Sequence, residues 1–396
     1  MQKRKTILLL TMVLFSTSAF SLMQINTVAA CKKPDFGFSF WIETNNQKYL
    51  RVYATDHYQL GLEMGQGLIE QIYILDSILK SIAAMSNISI DFVTGLMTLY
   101  DTSIPEDYKL FIQGISDSTG LSYYDVMFQV TWMDVYYGIL VPMSIQSAME
   151  QIAGCSAFGS DNTVGQTYDL WAIMLPTLAF VKYTLLTPRP TTVFSLWQGA
   201  FCYPIGKNHR DVMMVTNLIQ NIIPGDFGTP TSIKSMMAFE TARNTDECLN
   251  IMLSSFPGGY NYIITDRRGN GMAVQTIQVN PYLSENVDIQ EIINTKVRTN
   301  TYLRPDFFNF LIDPTYAIAR QTKGEELSNV AYEDDQNLST EELIDLMQYN
   351  DGTDASINRY PVDLLEPATL GYISMDKHCI KFGIGLVSDE YGFIWM

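Results

Sequence analysis

The chain has 396 residues, of which 47% are apolar and 17% charged, with a formal net charge of −17. This balance excludes a disordered chain, a coiled coil and a collagen-like fibre. It also argues against a nucleic-acid binder, because no cluster of Lys and Arg beyond the first residues offers a basic face. The length is enough for two or three average domains or for one large one.

Residues 1–30 have the layout of a secretory signal peptide. A basic start at Lys3–Lys5 precedes the apolar run Ile7–Met23 and the small residues Val28–Ala30. An uncleaved membrane anchor is the competing interpretation, although the run is short and interrupted by polar residues for a span of ~20 residues. The small residues followed by Cys31 also resemble a bacterial lipobox, in which Cys31 carries the lipid. The mature protein is therefore predicted to be secreted or attached to the outer face of the cell membrane.

Helical periodicity dominates residues 56–149. Apolar residues recur at spacings of three and four after Gly61, Gly65 and Gly67, which indicates a helix in close contact with a neighbour. Residues 130–148 are apolar but contain several polar side chains. This stretch is therefore predicted to be buried helix rather than a membrane span.

From about Ala153 the pattern changes to strands. Residues 155–171 predict a strand, a turn and a second strand. Further strands are predicted at 192–196, 212–217, 260–265, 272–279, 369–375 and 380–386, and helices at 235–254 and 340–349. A helical first third followed by mixed strands and helices predicts an α+β fold, layered as αββα.

The common cofactor and metal motifs are missing. The sequence contains no P-loop, no dinucleotide-binding loop, no Gly-x-Ser-x-Gly elbow and no His-Glu-x-x-His. His57, His209 and His378 are scattered, and the five Cys form no CxxC pair. We therefore expect no metal and no cofactor.

The most informative point for chemistry is the junction Gly154-Cys155. A Cys at the start of a strand, preceded by Gly and followed by a hairpin that ends in Tyr168-Asp169, resembles the self-cleaving N-terminal nucleophile (Ntn) hydrolases. More narrowly, it resembles the family of isopenicillin N acyltransferase. Proteins of that family cut themselves between Gly and Cys, and the new N-terminal Cys becomes the nucleophile.

Further stretches resemble the same family in the same order along the mature chain. They are residues 56–65, 114–125, 165–169, 260–269, 298–302, 354–359 and 369–385. Each match is weak alone, and their order supports the resemblance. Thr167, Gln275, Thr301 and Asn358 depart from the family pattern, and we interpret them as changes on the substrate side.

The resemblance implies a four-layer αββα sandwich with a helical N-terminal portion. Residues 31–154 would form an α chain and residues 155–396 a β chain, which together make one composite domain. Self-cleavage between Gly154 and Cys155 would therefore give an α/β heterodimer.

The resemblance also implies roles for single residues. Cys155 is the predicted nucleophile, and Asp169 and Arg359 orient its amine and balance charge. Asn261 is the predicted donor to the oxyanion.

Three further residues, Ser156, Tyr168 and Tyr260, lie beside these positions in the sequence and are predicted to bind substrate.

The residue types fit this chemistry. A thiol has a pKa of about 8.5 and an N-terminal amine of about 7.7–8.0, so a freed Cys155 combines nucleophile and base. Gly154 lacks a Cβ, which permits the tight backbone needed for attack on its own carbonyl. Structural roles compete with each assignment. A buried Cys is most often a small hydrophobe, Asp169 fits a turn, Asn261 a strand edge and Arg359 an ion pair.

The leading hypothesis is an exported amidohydrolase or acyltransferase. It would form an acyl thioester on Cys155 from a small-molecule amide or acyl substrate, at carbon–nitrogen bonds other than ordinary protein peptide bonds. One alternative is an extracellular lipid-amide or phospholipase-B-like hydrolase, with the aromatic stretch 168–197 lining an acyl pocket. Another is a surface lipoprotein that binds ligands without catalysis. The sequence leaves the acyl group, the amine, any disulfides and the oligomeric state open.

Overall fold

The computed structural model describes residues 36–143, 154–187, 189–220, 222–276, 285–312, 315–335, 338–360, 363–364, 366–388 and 390–396. The predicted signal peptide and Cys31 lie outside the described residues. Predictions about export and lipidation therefore stay predictions.

Two β-sheets face each other at the centre of the structure. The first strands are β1 (Phe38–Thr44), β2 (Gln47–Ala54), β3 (Ser156–Ser160), β4 (Val164–Trp171), β5 (Leu178–Leu185), β6 (Thr191–Gln198), β7 (Phe201–Asn208) and β8 (Met213–Ile219). The remaining strands of the described chain are β9 (Gly259–Thr265), β10 (Gly271–Thr276), β11 (Val287–Glu291), β12 (Thr295–Arg298), β13 (Pro367–Met375), β14 (Cys379–Ile384) and β15 (Gly392–Trp395).

The strands alternate in direction almost throughout. The larger sheet has the order β1-β2-β5-β6-β7-β8-β9-β10-β11, and the smaller has β12-β3-β4-β13-β14-β15. The described pairs are antiparallel except β2 with β5, which is parallel. The N-terminal segment therefore contributes two strands to the larger sheet as well as the predicted helices.

The helices cover the outer faces of the two sheets. They are α1 (His57–Gly67), α2 (Ile69–Met85), α3 (Ile90–Asp101), α4 (Glu106–Thr119), α5 (Tyr123–Val135), α6 (Thr231–Thr241), α7 (Thr245–Met252), α8 (Pro305–Phe308), α9 (Thr315–Asp335) and α10 (Thr340–Met347). α1, α2, α5 and α6 pack on the larger sheet, whereas α9 and α10 pack on the smaller one. The predicted α+β fold with αββα layers is confirmed.

Small residues let α1 and α4 approach closely. A Cβ on Gly61 would lie 2.1 Å from the carbonyl oxygen of Phe111, and one on Gly114 would lie 2.2 Å from that of Tyr58. Real Cβ atoms do not come this close to backbone oxygen, so both positions need glycine. The close helix contact predicted from the glycine spacing is confirmed.

Helix boundaries follow the local capping residues. The single helix predicted at 235–254 is two helices, because the side chain of Asn244 caps a new start by accepting from the Glu247 N–H at 2.9 Å. Ser339 and Glu342 form a capping box at the start of α10, which confirms the helix predicted from residue 340.

Among the described residues no single helix is long and apolar enough to cross a membrane. Only α2 and α3 taken together meet that length and composition, and they are bent by 118° at their junction.

Candidate active site

Gly154 and Cys155 lie at the entrance to β3, against the end of β4. β3 and β4 pair antiparallel, with Ser156 opposite Thr167, so the hairpin returns the chain to Cys155. Cys155 is 4% exposed, and its thiol faces the carbonyl oxygen of Asp169 at 3.9 Å. The Gly154 N–H donates to the same carbonyl at 3.4 Å. The predicted hairpin therefore brings Asp169 next to Cys155.

Arg320, which the sequence analysis did not single out, holds the backbone on both sides of this junction. Its Nη1 donates to the carbonyl oxygens of Gly154 at 2.6 Å and Cys155 at 2.7 Å, and to Ser156 Oγ at 3.1 Å. Its Nη2 donates to Asn300 Oδ1 at 3.0 Å. Burial lowers the pKa of the Arg320 guanidinium to about 10, so it stays charged at neutral pH.

Asp169 and Arg359 meet next to Gly154 through Thr369. The Thr369 hydroxyl donates to Asp169 Oδ1 at 2.9 Å and accepts from the backbone N–H of Arg359 at 2.8 Å. A Cβ on Gly154 would lie 2.3 Å from Arg359 Nη1 and 3.3 Å from Asp169 Oδ2. A side chain at position 154 would therefore displace this guanidinium, and both predicted charge-bearing residues lie at the junction.

The Asp169 carboxyl is buried and only partly hydrogen-bonded. Its Oδ2 has no hydrogen-bond partner among the described residues. Burial raises the pKa of Asp169 to about 6, against the lowering effects of Arg359 and Arg320. Near neutral pH this carboxyl is therefore poised to exchange a proton.

The Cys155 thiol is protonated in the uncut chain. Burial raises its pKa to about 12, and the charge of Asp169 adds to that rise. A thiol in this state reacts only if a nearby base takes its proton as the bond forms.

The predicted oxyanion donor, Asn261, is committed to backbone contacts. It lies in β9, and its Nδ2 donates to the carbonyl oxygens of Thr299 at 2.7 Å and Thr301 at 3.0 Å. Its Oδ1 accepts from Gln275 Nε2 at 3.1 Å. Both amide hydrogens are thus engaged, and donation to an oxyanion would require the release of one carbonyl. The role of Asn261 stays a prediction.

Asn300, between the two carbonyls that Asn261 holds, is the asparagine in contact with Arg320. Its own Nδ2 donates to the carbonyl oxygen of Leu218 at 2.6 Å. Asn300 lies within residues 298–302, one of the stretches that resemble the family, and no role was predicted for it. The structure places it one hydrogen bond from the group that contacts Gly154 and Cys155.

The other side of Cys155 is apolar and aromatic. A cavity of about 10 Å³, room for about one water molecule, is lined by Cys155 and by Met133, Tyr168, Phe201, Tyr203, Leu218 and Tyr260 among others. The predicted substrate residues Tyr168 and Tyr260 therefore line the same cavity as Cys155. The third, Ser156, has its hydroxyl engaged by Arg320.

The aromatic stretch 168–197 is only partly at the site. Tyr168 lines the cavity, whereas Trp197 is buried in the larger sheet, where its indole N–H donates to Ser195 Oγ at 2.8 Å. Within the described ranges no group of three or more His, Cys, Asp or Glu could hold a metal ion.

No protein-family model matches the chain, and no curated protein matches it significantly. Among solved structures, the chain is similar to penicillin V acylase from Agrobacterium tumefaciens, at 12% identity and a TM-score of 0.40, over 61% of this chain and 86% of that one. It is also similar to a mutant of conjugated bile acid hydrolase from Clostridium perfringens, at 11% identity and a TM-score of 0.39, over 62% of this chain and 92% of that one. Likenesses this weak support no statement about activity, so the function must be argued from the site.

Proposed function

We propose that this chain is an amide hydrolase that generates its own nucleophile by cutting the Gly154–Cys155 bond. The observation that carries the proposal is the arrangement at that bond. The Cys155 thiol follows a carbonyl whose oxygen is held by Arg320 at 2.6 Å, and the Asp169 carboxyl adjoins Gly154. A thiol, a polarised carbonyl and a proton acceptor are the groups that an N-to-S acyl shift requires.

The uncut chain is inactive towards other substrates for two physical reasons. The Cys155 thiol is buried with a pKa of about 12, and its nitrogen is a peptide nitrogen that cannot act as a base. Cleavage converts that nitrogen into an amine with an ordinary pKa of about 7.7–8.0. The amine then accepts the thiol proton, so nucleophile and base belong to one residue.

Substrate cleavage follows the same chemistry. The Cys155 sulfur attacks the amide carbonyl, the carbon–nitrogen bond breaks, and the released amine takes the proton. Water then hydrolyses the acyl thioester to a carboxylic acid and restores the thiol. Transfer of the acyl group to a second amine is the competing outcome of the same intermediate.

The surroundings of Cys155 indicate how a substrate would be oriented. Met133, Phe201 and Tyr203 line the cavity beside Cys155 and would contact an acyl group once that cavity, which has room for about one water molecule, enlarges after cleavage. Asp169 and Arg359 lie beside Gly154 and would supply the charged part of the site. The apolar lining also favours the lipid-amide hydrolase as a second candidate. The number of carbons in the preferred acyl group distinguishes the lipid-amide hydrolase from the hydrolase of small amides.

Intact-mass measurement of active protein tests the self-cleavage. We expect two chains, one that ends at Gly154 and one that begins with Cys155. The mass of the first chain also tests the proposed export, because removal of residues 1–30 sets its N-terminus. A single active chain that spans the junction would contradict the mechanism.

A substrate series tests the activity. Purified cut protein is assayed with N-acyl amino acids that carry aromatic, short aliphatic or long aliphatic acyl groups. Acid quenching followed by peptide mass measurement should show the acyl group on the peptide that begins with Cys155. A protein that binds these amides without turnover or acylation would instead support the non-catalytic ligand-binding alternative.

A further inference from the structure

We infer that Arg320 is the catalytic group that stabilises the oxyanion on Gly154 during self-cleavage. This inference rests on the self-cleavage proposed above and assigns its charge stabilisation to a residue outside the predicted set. The 2.6 Å bond from Nη1 to the Gly154 oxygen is a direct contact with a reacting atom. Donors at 2.7–3.1 Å from a developing oxyanion are the arrangement that lowers such barriers.

The position of the guanidinium is fixed before the reaction begins. Arg320 is 2% exposed and also donates to the Cys155 carbonyl, Ser156 Oγ and Asn300 Oδ1. A charge held in place and shielded from water interacts strongly with a neighbouring negative charge, and little reorganisation is needed when that charge appears. The alkyl stem reaches the junction from α9 in the outer layer, so the donor is independent of the hairpin that carries the nucleophile.

The reaction then proceeds with every atom accounted for. Asp169 takes the thiol proton as Cys155 Sγ bonds to the Gly154 carbon, and the carbonyl electrons move onto the oxygen beside Arg320. The carbon–nitrogen bond breaks, the Cys155 nitrogen takes the proton, and a Gly154 thioester remains. Water hydrolyses the thioester to the Gly154 carboxylate and the free thiol.

Arg320 is specific to this step, because the Gly154 carbonyl is the acceptor only while the chain is uncut. The bonds from Arg320 to the Cys155 carbonyl and to Ser156 do not involve the cleaved bond and would remain in the cut protein, whereas a substrate carbonyl would not be linked covalently to Cys155 beforehand. We therefore expect substitution to slow self-cleavage far more than turnover by molecules that have already been cut.

To measure the rate of self-cleavage, full-length chain is made by cell-free translation, and the uncut and cut forms are separated on denaturing gels. Arg320→Gln should slow self-cleavage by about 10²–10³-fold. Arg320→Lys should fall between, because an ammonium keeps the charge and loses the planar fork. The matched control is Arg298→Gln, since Arg298 is also 2% exposed with a pKa lowered to about 10, and its side chain donates to the Val297 carbonyl and Gln290 Oε1 rather than to Gly154 or Cys155. That control should cleave at the wild-type rate.

Hydroxylamine, which cleaves thioesters, identifies the step. It should leave the Arg320→Gln rate unchanged, because the thioester forms slowly; restoration of the rate would place Arg320 in hydrolysis and overturn the inference. An equal loss of turnover in cut molecules would also overturn it, by showing a general role in positioning Cys155.

Thermal unfolding shows which variants are folded. If Arg320→Gln does not fold, Arg320→Lys decides, and cleavage at the wild-type rate would overturn the inference. Wild-type protein that is active but uncut would instead defeat the proposed self-cleavage itself. Wild-type cleavage together with normal cleavage in Arg320→Gln would defeat only the role of Arg320.

Discussion

Asp134 and Asp169 are both fully buried carboxylates, yet their surroundings differ in kind. Asp134 in α5 accepts from the Thr231 N–H at 2.7 Å, the Thr231 hydroxyl at 2.8 Å and the Tyr260 hydroxyl at 2.7 Å. Asp169 accepts from the Thr369 hydroxyl at 2.9 Å, the Thr167 hydroxyl also lowers its pKa, and Oδ2 has no hydrogen-bond partner in the described chain. Burial raises the pKa of both. Full hydrogen bonding thus marks a carboxylate that joins structural elements, and incomplete bonding marks one available for chemistry.

Glu240 supports the same distinction. Its carboxylate accepts from His57 at 2.9 Å, Tyr108 at 2.6 Å and Tyr183 at 3.0 Å, so it joins α1, α4, α6 and β5. Burial of a carboxylate alone is therefore a poor guide to the candidate active site, and the number of hydrogen-bond donors around each carboxylate is a better one.

The largest difference in activity should appear when a Cys is replaced by Ala at the Gly154–Cys155 junction and, as a control, in the hydrophobic core. Cys155→Ala removes the proposed nucleophilic sulfur, so we expect a single uncut chain without amide hydrolysis. Cys248→Ala removes an equally buried thiol near Met214 and should change stability modestly and activity little. Gel analysis and an amide assay of both variants measure the contrast. Activity in Cys155→Ala at the wild-type level would remove the basis for the assignment.

The carboxylate comparison is tested directly by Asp169→Asn and Asp134→Asn. Loss of a general base typically costs ~10²–10⁴-fold in rate, so Asp169→Asn should cleave itself very slowly while remaining folded. Asp134→Asn leaves a buried donor facing an amide NH₂, which should reduce the free energy of unfolding by about 1–3 kcal/mol. Denaturant unfolding and cleavage rates are measured for both. The reverse pattern would show that hydrogen-bond saturation does not separate the two roles.

Substitution of Asn261 and of Asn300 tests which asparagine donates to the oxyanion during turnover. If Asn261 is the donor during turnover, Asn261→Ala should lower kcat by ~10²–10³-fold with normal self-cleavage. If it instead holds the segment that carries Asn300, Asn300→Ala should give the kinetic loss, and Asn261→Ala should mainly lower stability. Steady-state kinetics and thermal unfolding of the two variants decide between these outcomes.

The smallest effect is a pH dependence with opposite signs for rate and stability. Asp169 must be ionised to accept a proton, so self-cleavage should rise with pH up to about 6 and then level off. Its folded pKa lies above the ordinary 3.8, so its contribution to stability is present below about pH 4 and lost as pH rises through about 6. Asp169→Asn should lack both trends. A rate that keeps rising well above pH 6 would point to another base.

The sequence predicted the layers and the nucleophile hairpin because both depend on local patterns. β3 and β4 follow a turn between apolar residues, and the first helices follow apolar spacing with capping residues. β5 and β7 were not predicted. β5 is buried on both faces and shows no alternation, and β7 contains Pro204, which argues against a central strand.

Arg320 could not be found from sequence for a different reason. It lies 165 residues from Cys155 in a helix without a clear apolar stripe, so no spacing connects it to the nucleophile. Asn300 was visible as part of a motif, but its contact with Arg320 depends on how β12 and α9 meet. Pairings across the fold of this kind require the three-dimensional structure.

The two N-terminal strands have a consequence for the lifetime of the cut protein. β1 and β2 complete the larger sheet through the parallel pair of β2 with β5, and α1 to α5 belong to the same chain segment. For the uncut chain, refolding is a unimolecular process. After the proposed cleavage the same sheet would belong to two molecules, and refolding would require them to meet again at the prevailing concentration. The cut enzyme would then persist by slow unfolding, with a half-life rather than an equilibrium constant as its measure of stability.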